Sequence, residues 1–274
     1  SYIEFLRPYC PRLKSQSMTD ASFDPAAERY DDQFSKTIVG KMQRSRIWRF
    51  LEKELSPSKM DILEINCGTG IDAKWLSGKG HDVIATDVSS KMISVAQNKF
   101  PSVKFEVCGF SEIATRFKPN SFDLVFSNFA GLNCVDESAL IVIQKDISEV
   151  LKPKGKFIGV FLGRESWMEQ LYFRVKGKKD LIYRRRIKSI ANIDDVSTQP
   201  VWCYLSKELR VIFNCFSVNY IRSVGLFVPP SYLEPMMRKS KVLMHTLFGL
   251  EIIFGGRRIA ADRSDHIYIS FSKN

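Results

Sequence analysis

The stretch Asp61-Ile-Leu-Glu64-Ile-Asn66-Cys-Gly68-Thr-Gly70-Ile-Asp72-Ala73 decides the fold of this chain. It passes from an apolar, strand-like run through a glycine-containing turn into the start of a helix. Gly68 and Gly70 let the backbone approach a ligand closely, and the helix start that follows offers free N–H groups. Every dinucleotide-type sheet shares such a turn, so its surroundings must narrow the reading. Downstream, apolar runs at 83–85, 103–107, 122–126 and 157–161 alternate with stretches of helical period at 73–76, 91–100 and 140–151. This alternation predicts repeated βα units and a parallel sheet. Asp87 closes the second run, where a carboxylate can accept both hydroxyls of a ribose. An N-cap for the helix that follows is its competing reading.

Outside this core, residues 28–55 read as one or two helices. After it, 164–205 reads as a helical, basic insertion, 209–213 as a short helix, 217–223 as a sixth strand and 232–254 as another helical stretch. The alternation His266-Ile-Tyr-Ile-Ser-Phe271 predicts a final strand. At 274 residues, with 45% hydrophobic and 26% charged residues, the chain has the makeup of a folded globular protein rather than a disordered one. Its longest clean apolar run, 157–162, is too short to span a bilayer, and residues 1–10 lack the order of a signal peptide, so a cytoplasmic protein is expected. The six cysteines are scattered without metal-ligand spacing, so neither zinc nor a disulfide framework is expected.

The net charge of +11 favours anionic partners. Much of it gathers in 164–188, where Arg164, Arg174, Lys176, Lys178, Lys179, Arg184, Arg185, Arg186 and Lys188 face only Glu165, Glu169 and Asp180. Aromatic and apolar residues such as Trp167, Leu171 and Phe173 are mixed in. A solvated lid, an anionic membrane surface and an acidic carrier protein all fit that pattern.

Four segments taken together are more specific than any one. Leu63-Glu64-Ile-Asn66-Cys-Gly68-Thr-Gly70, Ala85-Thr-Asp87-Val88-Ser-Ser-Lys-Met92, Phe122-Asp-Leu-Val-Phe-Ser127-Asn128-Phe129 and Leu151-Lys-Pro-Lys-Gly-Lys-Phe157 follow one another in the order of motifs I, II, IV and V of class I S-adenosylmethionine-dependent methyltransferases of the small-molecule type. The resemblance covers residues 28–161. In detail it is similar to a bacterial subgroup without an assigned substrate. It implies a doubly wound, mostly parallel, seven-stranded Rossmann-like α/β sheet with an antiparallel last strand and helical lid insertions. Residues 1–55 would close the cofactor pocket, and 56–274 would form the methyltransferase domain, with lids at about 164–205 and 226–264.

The resemblance also implies roles. Glu64 and the Gly68 to Gly70 turn would hold the methionine end of S-adenosylmethionine, and Asn66 and Asp72 belong to the same cofactor-binding set. Asp87 would hold the ribose, and Val88 and Met92 would pack on adenine. Ser127 and Asn128 would close the site near the methyl group, leaving S-adenosylhomocysteine as product. Asn66 replaces the usual first glycine, which its tolerance of left-handed backbone allows. Phe110 stands where an acid commonly meets the adenine amino group, so stacking by Phe110 and contacts from Ser111 would substitute.

Ligands of such sheets bind beyond the carboxyl ends of the parallel strands, the edge from which both long insertions leave. An antiparallel last strand would start there too, making His266 the candidate general base, with Asp265 orienting it and Tyr30 joining from the amino-terminal segment. A histidine capping the entry to a strand is the plainer reading of His266. His245, on an apolar helical stretch, is expected to pack. The expected acceptor is a small hydrophobic or amphipathic metabolite. Nucleic-acid methylation is the less favoured alternative, since Ser127-Asn128-Phe129-Ala130 lacks the Pro-Pro-aromatic signature of base-amine methylation. A donor-binding but non-catalytic partner protein and a nicotinamide dehydrogenase are the others.

Overall fold

A computed structural model describes residues 6–8, 24, 27–187, 189–192, 198–234 and 240–274. Among these the chain runs through β1 (Leu6–Pro8), α1 (Ile38–Leu51), β2 (Asp61–Ile65), α2 (Ile71–Gly78), β3 (Asp82–Asp87), α3 (Ser90–Lys99) and β4 (Lys104–Val107). It continues through α4 (Ile113–Arg116), β5 (Phe122–Ser127), α5 (Glu137–Val150), β6 (Leu151–Leu162) and α6 (Trp167–Val175). The last third holds β7 (Ser189–Asn192), β8 (Thr198–Val201), α7 (Ser206–Ile212), β9 (Phe216–Val224), α8 (Lys241–Phe254) and β10 (His266–Lys273).

Seven strands form one sheet in the order β4-β3-β2-β5-β6-β10-β9. Neighbours from β4 to β6 pair in parallel, and β10 lies antiparallel between β6 and β9. The strand order reverses at β2, so the carboxyl ends of β2 and β5 flank the crevice where ligands of such sheets bind. Helices cover both faces, and the central strands are correspondingly apolar at most positions. Ile62, Leu63, Ile65, Leu124, Val125 and Phe126 are all buried. One core gathers on the α5 and α7 face, around Phe157, Phe161, Phe213 and Phe271. The other lies under α1 to α3, around Ile47, Leu76, Ile93 and Tyr268.

The helix starts follow side-chain chemistry. Ser89 caps α3 by accepting the Met92 N–H, and Asp136 caps α5 by accepting the Ala139 N–H. Two agents cap α1. The Thr37 hydroxyl accepts the Gly40 N–H, while the Glu234 carboxylate takes the Ile38 and Val39 N–H groups at 3.0 and 2.9 Å. The second insertion thus grips the amino-terminal helix, and a small third core of Val39, Val228 and Met244 lies between them.

Three features differ from the sequence expectation. The first insertion is not helical throughout: β7 and β8 form an antiparallel ribbon, which β1 extends into a three-stranded sheet. Two of its arginines, Arg184 and Arg185, are turned inward, as described below. His245, expected to pack, is exposed on α8, where Met244 and Glu251 occupy the buried face of that helix. Among the described residues, no helix is long and apolar enough to cross a membrane, and no cluster of His, Cys, Asp and Glu could hold a metal ion.

Candidate active site

The turn after β2 is held in shape by its neighbours before any ligand is considered. Asn66, Gly68 and Gly70 all have positive φ, at 53°, 52° and 79°. Asn66 supports its left-handed backbone with its own amide: Nδ2 donates to the Asn128 carbonyl at 2.8 Å, and Oδ1 accepts the Ser127 hydroxyl at 2.6 Å. The turn after β2 is thereby tied to the turn after β5. Gly131 makes room for the tie, since a Cβ there would lie 2.3 Å from Asn66 Cγ. At Gly70 an added Cβ would strike the Phe105 ring, whereas at Gly68 it would meet only Tyr30 Cε1, at 3.8 Å. The turn is therefore closed on its sheet side and open towards Tyr30.

Asp87 closes the next strand. Its Oδ2 accepts the Gly68 N–H and its Oδ1 the Ser89 N–H, both at 2.9 Å. Burial raises its pKa above the ordinary aspartate value, against the lowering effect of those N–H groups. Ser89, rather than Asp87, caps the following helix, which leaves Asp87 with lone pairs to spare at the ligand edge. Glu64 is 1% exposed, and its Oε2 has no hydrogen-bond partner. Burial, followed by the neighbouring Asp72 charge, pushes its pKa well above the glutamate value. A buried carboxyl oxygen without a partner is uncommon, and this one lies beside the open glycine turn.

Asp72 is fully engaged within the protein. Its Oδ1 accepts Trp48 Nε1 at 2.6 Å, and its Oδ2 accepts Arg44 Nη1 at 2.8 Å and Asn128 Nδ2 at 2.9 Å. Sequence reading grouped Asp72, Asn66, Ser127 and Asn128 with the cofactor-binding residues. In the structure their side chains bond to one another and to α1, forming a brace around the crevice. Met92 is buried, Val88 and Phe110 are half-buried, and Ser111 is exposed.

On the acceptor side, β10 begins at the carboxyl edge, as an antiparallel last strand must. His266 pairs with Leu162 and Val224 across the sheet. Its Nδ1 lies 3.2 Å from Asp265 Oδ2 but is not aligned for a hydrogen bond. The ring stands edge-on to Phe129, with centroids 5.6 Å apart, and Arg44 lies over the Phe129 ring at 4.8 Å. Phe129 and Ala130 both have left-handed backbone, at φ 45° and 64°, which is costly for a bulky residue and clusters at functional sites. The Phe129 N–H bonds to Asn128 Oδ1 and the Ala130 N–H to the Val160 carbonyl, and this holds the turn in place. Burial raises the Tyr30 pKa to about 12, the nearby Asp87 and Asp72 charges acting in the same direction and Arg44 against them. Tyr30 keeps its proton at neutral pH, so its hydroxyl can donate as well as accept.

Behind His266 lies a buried ionic chain that sequence reading missed. Asp265 Oδ2 accepts Gln43 Nε2 at 2.9 Å, and its Oδ1 accepts Arg185 Nη2 at 2.7 Å. Arg185 also donates to Glu169 Oε2, while Arg184 Nε donates to Glu169 Oε1 at 2.9 Å. Burial opposes ionisation of Asp265, but the neighbouring His266 ring and the Arg185 guanidinium outweigh it and hold its pKa well below the usual range. Much of the basic insertion is therefore neutralised internally, since Arg164 also pairs with Glu208 and Arg186 with Glu165. Arg174, Lys176, Lys178 and Lys179 still face outward, and Lys188 lies outside the described residues.

Against known proteins, a family model described as a methyltransferase domain matches residues 62–155, which run from β2 into β6. A demethylmenaquinone methyltransferase of Renibacterium salmoninarum is 32% identical over 195 residues, covering 69% of this chain and 75% of that protein. The chain belongs to the class I S-adenosylmethionine-dependent methyltransferases. A tRNA 5-carboxymethoxyuridine methyltransferase of Escherichia coli K12 is 26% identical over 110 residues, covering only 37% of this enzyme and 42% of that one. The fold recurs in a methyltransferase structure from Methanosarcina mazei, with a TM-score of 0.57 and 20% identity over 82% of this chain and 96% of that one. The expected fold and donor are those of the family, and the dehydrogenase reading is set aside.

Proposed function

We propose that this methyltransferase transfers the methyl group of S-adenosylmethionine to a small, largely apolar acceptor held between Phe129, Tyr30 and the second lid. Glu64 and the Gly68 to Gly70 turn would hold the methionine end of the donor, and Asp87 the ribose. Val88, Met92, Phe110 and Ser111 would border the adenine. Asn66, Asp72, Ser127 and Asn128 would act as the brace that keeps these groups in place. The unpartnered Glu64 oxygen is the feature that fits the donor best, because an ammonium group would relieve it. The bound sulfonium supplies an electrophilic methyl carbon, so the chain itself must align the acceptor and exclude water. His266 would take the proton of a hydroxyl acceptor, with Asp265 facing the imidazolium that forms.

One observation carries the apolar acceptor. The arginines that border the site are consumed in ion pairs, Arg44 with Asp72 and Arg184 and Arg185 with Glu169 and Asp265, while the elements over the edge offer aromatic and aliphatic surface. Phe227 packs on Trp167, and Val228 packs against α1. The R. salmoninarum relative, named for demethylmenaquinone, supports an acceptor of this kind. The tRNA relative matches over a much shorter stretch, so it says little about acceptor choice. The free thiols Cys67, Cys108, Cys134, Cys203 and Cys215 support a cytoplasmic setting.

The test is a mass-shift screen with S-adenosylmethionine against apolar phenols and quinols in one arm and tRNA transcripts in the other. Methyl transfer to a phenol or quinol is expected, with kcat falling about a hundredfold in His266→Gln and KM nearly unchanged. Transfer to tRNA alone would overturn the acceptor reading. An unchanged kcat in the variant would remove His266 as base.

Glu64→Gln gives effects of opposite sign. The pKa of Glu64 is raised on folding, so the stability it contributes is complete below the unfolded-state value and is lost as pH rises through the folded one. Without donor, the variant should unfold at equal or higher temperature, a gain of up to about 1 kcal/mol that grows with pH. Its affinity for S-adenosylmethionine should fall about tenfold. Calorimetric titration and thermal unfolding of the same samples read both, and an unchanged affinity would remove Glu64 from the donor site.

A further inference from the structure

A second cavity, of about 450 Å³, opens beneath α1 where β9, β10 and the end of α8 meet, displaced from His266 towards the amino-terminal edge of the sheet. Among the described residues, Arg46, Lys53 and Arg222 line it against one acid, Glu54, which Lys156 already pairs at 2.8 Å. Two of the residues that line it carry a buried polar atom without a hydrogen-bond partner. These atoms are the Tyr268 hydroxyl, on a residue 1% exposed, and Arg46 Nε, on a residue 8% exposed. The Arg46 guanidinium is fixed from behind: Nη2 donates to the Gly255 carbonyl at 2.9 Å, and the group lies 4.7 Å over the Phe50 ring. Burial, and then the like charges of Arg49 and Arg222, lower its pKa, although Glu251 acts the other way. Arg222 is held by the Gly256 carbonyl at 3.4 Å and the Tyr220 ring at 5.3 Å. A buried donor left without an acceptor costs stability, and crowded cations repel, so an oxyanion between them would satisfy both conditions.

We infer that this cavity is a binding site for a phosphate-bearing ligand, with Arg46, Arg222 and the Tyr268 hydroxyl as donors and Lys53 at the mouth. It is separate from the methyl-donor crevice and does not depend on the acceptor reading. Two sources share the phosphate chemistry, a soluble phosphorylated metabolite and an anionic lipid headgroup. The lipid is favoured by the neighbouring helix. Ile252 lines the cavity, and α8 exposes Val242, Ile253 and Phe254 at 78%, 65% and 43%, with Arg257 stacked on Phe254 at its end.

Titration with inorganic phosphate against chloride of equal ionic strength, read by calorimetry and by the unfolding midpoint, tests the site on the whole chain. Phosphate should bind and raise the midpoint, while chloride does neither. Tyr268→Phe and Arg222→Gln should each weaken phosphate about tenfold and leave S-adenosylmethionine affinity unchanged. Tyr268→Phe removes only an unpartnered hydroxyl, so its fold is not at risk. No phosphate binding, or equal affinity in wild type and both variants, would overturn the site. Sedimentation with phosphatidylcholine vesicles with and without phosphatidylglycerol then separates the sources. Pelleting with anionic vesicles that phosphate reverses assigns a lipid, and phosphate binding without pelleting assigns a soluble ligand.

Discussion

Glu169→Ala is expected to destabilise the protein by about 3–5 kcal/mol, the cost of removing one partner from a buried ion pair. The Glu169 carboxylate sits 2% exposed between two guanidinium groups that are themselves 2% and 4% exposed. Arg184 and Arg185 both donate to it, and Arg185 reaches on to Asp265. Without the carboxylate, two buried cations repel each other and the support behind His266 loosens. The pH dependence gives an independent check. Burial opposes ionisation, but the charges and hydrogen bonds of Arg185 and Arg184 prevail and lower the Glu169 pKa from 4.5 to about 2. Because the folded value is the depressed one, its contribution is present above the unfolded value. It is lost as pH falls through about 2, and amounts to about 3 kcal/mol. The difference between wild type and Glu169→Gln in urea unfolding should therefore shrink steadily as the pH is lowered from 5 towards 2. Glu165→Ala, which breaks the half-exposed pair with Arg186, should cost under about 1 kcal/mol. If Glu169→Ala cost no more than that control, the ionic chain would not be holding the insertion in place.

The contrast between those two glutamates shows where sequence reading stops. Each βα unit of the sheet is local, so strand, turn and helix period announce themselves within about thirty residues. Asp87 was readable because it ends a strand at the edge where ligands bind, and Asn66 because few other residues tolerate its backbone. The buried arginines were not readable. A run such as Arg184-Arg185-Arg186 looks solvated by composition, and only the fold brings Glu169 from α6 and Asp265 from the far end of the chain onto two of the three. The β7–β8 ribbon was missed for a similar reason. Its strands are short, one contains Pro200, and its third member comes from residues 6–8. On α8 the apolar residues run all round the helix, so the sequence carried no phase. The buried face is marked instead by Glu251, whose carboxylate takes the Gly225 and Phe227 N–H groups. Phe129 gave one usable signal: an aromatic residue next to Asn128 at the end of a central strand, where strained backbone is found at functional sites.

Asp87→Ala should weaken S-adenosylmethionine binding at least a hundredfold, the largest effect expected of any single change at the donor site. A carboxylate accepting two ribose hydroxyls makes two charge-assisted hydrogen bonds, each worth about 1.5–3 kcal/mol. The same carboxylate also fixes the glycine turn, because its oxygens take the Gly68 and Ser89 N–H groups. The alanine variant would therefore lose the proposed ribose contact and the shape of the turn together. Asp87→Asn separates the two effects. Its amide keeps one acceptor oxygen, so either the Gly68 or the Ser89 bond survives, and its loss of affinity should fall between wild type and alanine. Affinity should also fall as pH is lowered from neutral, beginning above the ordinary aspartate range. Burial raises the Asp87 pKa, and the protonated acid accepts poorly. The part of that pH dependence that belongs to Asp87 should vanish in Asp87→Asn, while the part set by the raised Glu64 pKa remains. Calorimetric titration with S-adenosylmethionine and S-adenosylhomocysteine across this pH range reads all three outcomes. A loss smaller than about threefold in the alanine variant would mean that the ribose is held elsewhere, and the donor would have to be placed again from Glu64 and the glycine turn.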